Sequence, residues 1–195
     1  MVVLCAKNVL LFCRFRVITT LPKRNGTPSE RMESNMESNT EKRKLYLAYG
    51  SNLNVPQMLY RCPEAQLFGT AEIVDYQLLF KGSKTGAYLT IERKAGSRVP
   101  VGVWSVTEHD EAALDRYEGF PTFYYRREMT VTVKNEKTGK PRRRRAFVYI
   151  MHEERALCLP SHAYMETCKA GYQAFGFDQR FLREAIRASG GEVTA

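Results

Sequence analysis

The chain has 195 residues, 44% hydrophobic and 26% charged, the balance of a soluble globular protein with one domain and a sizeable core. Its net charge of +9 invites a nucleic-acid or membrane reading, but the charge is local. Residues 1–44 hold nine Lys/Arg against four Glu, and Arg142–Arg145 alone could account for the excess in the remainder.

Val2–Thr20 is apolar but interrupted by Lys7, Arg14 and Arg16, which excludes an uninterrupted membrane span of roughly 18–20 residues. A secretory signal places its charges ahead of the apolar run, whereas two arginines here lie inside it. Thr27–Glu41 is polar and nearly repeats itself, Met32-Glu-Ser-Asn then Met36-Glu-Ser-Asn, a composition too poor in apolar residues to order itself. Residues 1–43 are therefore expected to be a disordered tail or an over-extended start, with translation beginning at Met32 or Met36, and residues 44–190 to be the folded domain.

From Leu45 onward the pattern is α+β. Leu45–Tyr49 reads as a buried strand, and Asn54 caps a short helix to about Cys62, with Pro56 tolerated in its first turn. Ala71–Phe80, Ala87–Arg93 and Val99–Ser105 read as three strands separated by turns. Thr107-Glu-His-Asp110 resembles a capping box opening a helix over Glu108–Tyr117, and Gly119 stands where a helix end favours positive φ. Met129, Val131 and Val133 alternate with threonines as in a half-buried strand. Asn135–Gly139 is a hairpin connection, Arg144–Met151 is its return strand, and helices over Ser161–Ala174 and Asp178–Ala188 flank Gly176. Strands and long helices do not alternate regularly, so a small, mostly antiparallel, barrel-like sheet with peripheral helices fits better than a doubly wound parallel sheet.

Five cysteines without a C-x-x-C pair disfavour a disulfide framework and point to a reducing, cytoplasmic setting. His109, His152 and His162 lack metal-ligand spacing, so no metal site is expected. Arg142–Arg145 has no interleaved aromatic platform for bases and reads as a charged sheet edge, which disfavours nucleic acid as a partner.

Two segments carry chemistry. Tyr49-Gly50-Ser51-Asn52 leaves a strand and enters a helix, where successive backbone N–H groups can converge on a carboxylate or carbonyl oxygen. The same residue types also make ordinary turns, and no phosphate-loop glycine-lysine pattern is present. Glu118, between Tyr117 and Gly119, sits at a helix C-terminus. The helix dipole and partial burial there both disfavour its charged form, which suits a carboxyl group that takes and returns a proton near neutral pH. Tyr124, Tyr125, Tyr149, Tyr164 and Tyr172 fall on elements that could line one pocket.

Tyr46-Leu-Ala-Tyr-Gly-Ser-Asn-Leu53, Leu114-Asp-Arg-Tyr-Glu-Gly119, Tyr149 and Pro160-Ser-His-Ala-Tyr164 together resemble the γ-glutamylcyclotransferase-like proteins, over about Lys44 to Arg187. The resemblance implies a barrel-like α+β fold with a pocket at one end. It implies that Tyr46, Leu47, Ala48, Tyr49, Gly50, Ser51 and Asn52 hold a γ-glutamyl group, bordered by Tyr149 and Tyr164, with Glu118 as catalytic base and acid. The implied reaction closes the ring of 5-oxoproline on a small γ-glutamyl substrate and needs no cofactor. Some members of the family are dimers, which leaves a homodimer open. A non-catalytic module binding a small ligand in the same pocket is the alternative. The leaving-group pocket is expected in the loops Gly82–Gly86 and Phe120–Tyr124.

Overall fold

The computed structural model describes residues 42–83 and 86–191, and the expectation for the N-terminal tail lies almost wholly outside them. Five strands, β1 (Lys44–Ala48), β2 (Gln66–Ser83), β3 (Gly86–Val106), β4 (Tyr124–Asn135) and β5 (Pro141–Met151), close into a barrel in the order β1-β3-β2-β4-β5. All pairings are antiparallel except β1 with β5, whose parallel register places Tyr46 beside Phe147. Inward-facing Leu47, Val101, Val103, Ile91, Val133 and Val148 belong to one buried core. The barrel-like, mostly antiparallel α+β architecture read from the sequence is the one found.

The helical elements form where the caps predict. Asn54 accepts the Gln57 N–H to open α1 (Val55–Arg61). Thr107 and Asp110 exchange the two hydrogen bonds of a capping box at the start of α2 (Glu108–Glu118). Gly119 adopts φ 65°, ψ 35°, ending α2 and sending its N–H back to the Asp115 carbonyl. Ser161 caps α3 (His162–Ala174), and α4 (Arg180–Ala188) follows after Gly176.

One expectation fails. Ala87–Arg93 and Val99–Ser105 are not separate strands but parts of the 21-residue β3. The polar stretch Lys94–Ser97, which reads as a turn, is an irregularity within the β2–β3 pairing. Val74 pairs with Arg98 and Tyr76 with Arg93, so four residues of β3 stand opposite Asp75 alone. Asp75 takes φ 62°, and its carboxylate accepts the Gly96 N–H at 2.9 Å. Local turn chemistry is thus satisfied inside a continuous ladder.

Arg142–Arg145 occupies the exposed first half of β5 and pairs with Val133–Thr130 of β4. The hairpin before it is closed by Asn135, whose side-chain oxygen accepts the Lys137 and Thr138 N–H groups. No helix among the described residues is long and apolar enough to cross a membrane.

Candidate active site at the end of β1

The strand β1 delivers the turn that follows it to one end of the barrel. Tyr46–Ala48 are buried in the sheet, and Ser51–Leu53 form a single 3₁₀ turn, η1, before Asn54 starts α1. Ser51 and Asn52 open this turn, so their amides have no helical carbonyl behind them. The turn is pinned from outside by α3. A Cβ on Gly171 would lie 2.7 Å from Leu53 Cβ and 2.8 Å from its carbonyl carbon, so only glycine lets the helix approach so closely.

Glu118 arrives from the last residue of α2. Leu114, one turn earlier, is fully buried. Asp115 ties the helix end to the barrel, accepting from the Tyr149 hydroxyl at 2.7 Å and pairing with Arg126 at 2.5 Å. The helix is thereby oriented so that Glu118 Oε1 accepts from Asn52 Nδ2 at 2.9 Å.

Asn52 is the hub. Its Nδ2 also donates to the Tyr46 hydroxyl at 2.9 Å, and its Oδ1 accepts from Arg61 at 2.7 Å. Arg61 lies 3.7 Å over the Tyr117 ring and donates to Gln57 at 2.8 Å, so the cation that orients the amide is itself held on two sides. Every polar atom of the Asn52 side chain is used, and a flipped amide would set its oxygen against the carboxylate.

Burial is the largest influence on Glu118, raising its carboxyl from 4.5 to about 7, while the nearby Arg61 charge and the Asn52 hydrogen bond pull the other way. The sequence anticipates the direction. It does not anticipate the two opposing groups, because neither is near Glu118 in the chain.

A cavity of about 30 Å³ is lined by Tyr46, Tyr49, Gly50, Ser51, Asn52 and Glu118, with Leu89, Tyr124, Tyr149 and Tyr164 opposite. Eight of the ten residues expected to build the site therefore meet: Glu118, Tyr46, Tyr49, Gly50, Ser51, Asn52, Tyr149 and Tyr164. Leu47 and Ala48 do not line it; both are core residues of β1. Of the five tyrosines proposed for one pocket, Tyr125 and Tyr172 stay out. The Tyr125 hydroxyl donates to Glu153 at 2.6 Å on the exposed side of β4, and Tyr172 is fully buried in α3.

The remaining hydroxyls are held by backbone and by Asp115. Tyr49 donates to the Tyr149 carbonyl at 2.7 Å and Tyr124 to the Leu89 carbonyl at 2.8 Å, while Tyr164 accepts the Leu89 N–H at 3.2 Å. Burial, the largest cause in each case, pushes Tyr46, Tyr49, Tyr124 and Tyr164 far above the ordinary phenol range, and the Glu118 charge adds to it. These tyrosines stay neutral, which leaves Glu118 as the group lining the cavity that can exchange a proton near pH 7. Leu89, Arg61 and Asp115 carry no sequence signal that marks them for the site, although Asp115 stands inside the motif that contains Glu118.

Glu64, His109 and Asp110 offer three potential metal-ligand atoms within 4.8 Å of one another. Glu64 accepts from the Thr107 hydroxyl at 2.8 Å and Asp110 closes the capping box, so both carboxylates already serve the start of α2.

A family profile described as "Gamma-glutamyl cyclotransferase, AIG2-like" matches residues 46–166, from the first site tyrosine to just past Tyr164. Two curated relatives named gamma-glutamylcyclotransferase are similar to this chain. The bovine one is 34% identical over 101 residues, covering 48% of this chain and 54% of the relative. The human one is 35% identical over 88 residues, covering 42% and 47%. The chain thus spans about half the length of these curated relatives. A solved structure of a gamma-glutamyl cyclotransferase superposes with a TM-score of 0.62 at 26% identity, covering 78% of this chain and 90% of that one.

Proposed function

Because the chain belongs to the gamma-glutamyl cyclotransferase, AIG2-like family, we propose that it converts a small γ-glutamyl compound into 5-oxoproline and a free amine or amino acid. The observation that carries this reading is the Glu118 carboxyl, hydrogen-bonded to Asn52 in a cavity otherwise walled by neutral side chains and raised to about 7.

The γ-glutamyl group sits against Tyr46, Tyr49 and the Gly50–Asn52 turn, bordered by Tyr149 and Tyr164. Glu118 takes a proton from the substrate α-ammonium. The freed amine attacks the γ-carbonyl carbon of the same molecule, forming the ring C–N bond and pushing the carbonyl electrons onto oxygen. The N–H groups of the turn stabilise that oxyanion or anchor the substrate α-carboxylate. Collapse of the adduct expels the leaving nitrogen, which receives the proton from Glu118. The surplus proton on the ring nitrogen passes to the regenerated Glu118 carboxylate and on to the departing amine or solvent, leaving a neutral lactam. No electrons are transferred and no covalent enzyme intermediate forms. Since nucleophile and electrophile share one molecule, the site needs only to fold the substrate and relay protons from the ring nitrogen to the leaving nitrogen.

The test is a panel of γ-glutamyl amino acids and γ-glutamyl amines incubated with purified protein, with 5-oxoproline as the readout. Release from at least one member is expected. Absence of release from the whole panel contradicts the proposal.

A further inference from the structure

Outside the small cavity lies a second one of about 300 Å³, and the two share Ser51, Glu118, Tyr124 and Tyr164. Its other walls are Tyr88, Phe123, Tyr117, Gly119 and Arg116. If the γ-glutamyl group is anchored at the inner cavity with its γ-carbonyl at the Glu118 boundary, the departing amine projects into the outer one. The deduction therefore rests on the cyclotransferase reading.

The outer walls have a definite chemistry. Phe123 and Tyr88 meet edge-on at 6.2 Å, and Tyr88 meets Tyr164 edge-on at 5.1 Å, giving a fixed aromatic corner. Arg116 is exposed and has no acidic partner among the described residues. Glu118 is the sole carboxylate on the lining. A second cation, Arg155, lies 4.7 Å over the Phe123 ring. A carboxylate entering this space finds a free guanidinium, whereas an ammonium finds net positive surroundings.

We propose that the outer cavity is the leaving-group subsite, that it selects α-amino acids with an aromatic or large apolar side chain, and that Arg116 binds their free carboxylate. The aromatic corner receives the side chain. Arg116, two residues before Glu118 on α2, reads the carboxylate without touching the reacting atoms.

Three substrates separate the contributions: γ-glutamyl-phenylalanine, γ-glutamyl-alanine and γ-glutamyl-phenethylamine, the last lacking the carboxylate. The expected order of kcat/KM places γ-glutamyl-phenylalanine first, with its advantage over γ-glutamyl-phenethylamine expressed in KM. R116Q is expected to reduce that advantage by about fivefold, the scale of an exposed charge pair, and R116K to restore part of it. Equal kcat/KM for the two phenyl substrates, or an unchanged ratio in R116Q, overturns the proposal. Calorimetric binding of L-phenylalanine against phenethylamine reads the subsite without turnover. Preference for L-phenylalanine that R116Q removes supports the subsite even if no 5-oxoproline forms, and lack of preference overturns it. The absence of 5-oxoproline would count against the reaction alone.

Discussion

Glu118 carries two opposite demands: burial holds its proton on, while Asn52 and Arg61 favour the charged form. Removing Asn52 tips that balance. The acidic limb of kcat/KM is expected near pH 7, and N52A is expected to move it to higher pH and to lower its plateau by about tenfold or more through lost positioning. An unchanged limb would show that the hydrogen bond does not tune the carboxyl. Stability follows the same group with a definite sign. Folded Glu118 keeps its proton to about pH 7, whereas an unfolded Glu releases it near 4.5. Between these values the folded state binds more protons, so unfolding free energy falls as pH rises and levels off above about 7. E118Q does not titrate, so its Tm should gain on the native protein across that window and the gain should then hold constant. A Tm difference independent of pH would contradict the raised carboxyl. At this scale the sequence shows Glu118 and the Gly-Ser-Asn turn but not the contact that joins them, because Asn52 and Glu118 are 66 residues apart and their hydrogen bond exists only after the barrel closes.

Elements matter here for how they aim residues. The helix α2 begins at a capping box and ends at a left-handed glycine, both legible from local chemistry. Its direction depends on Asp115, which gathers Tyr149 from β5 and Arg126 from β4. D115A leaves the Tyr149 hydroxyl without its partner and the Arg126 guanidinium with Glu111 alone, a loss of about 1–3 kcal/mol, and loosens the helix end. Thermal unfolding should report the former, and a fall in kcat/KM larger than the change in Tm implies should report the latter. On the other side, G171A forces a methyl group into Leu53 and should cost about 1–3 kcal/mol by overpacking while displacing η1. Wild-type stability in G171A would contradict the close approach of α3. Turn residues misled the reading of β3, since Lys94–Ser97 has loop composition but lies within a ladder whose long-range pairing with β2 prevails.

At the scale of the molecule, closing the barrel brings β1 beside β5, which puts Tyr46 next to Tyr149 with ring centroids 5.8 Å apart. That closure turns two sequence-distant motifs into one cavity. A compact unit runs from Asn39 to Ala195, and a chain beginning at Asn39 is expected to retain the Tm and 5-oxoproline release of the full chain. A lower Tm would assign the preceding residues a structural part. Apart from the split of β3, the architecture is legible in the sequence because alternation, caps and turns mark the other elements. The depth of the cavity and its division in two are not, since they arise also from Leu89, Tyr88 and Arg116, whose local patterns are ordinary. The most direct measurement of the central claim is 5-oxoproline release by E118Q beside the wild type, each shown folded by its thermal transition. The account predicts loss of turnover with the fold intact. Retained turnover in folded E118Q would remove Glu118 from the proton path and contradict it.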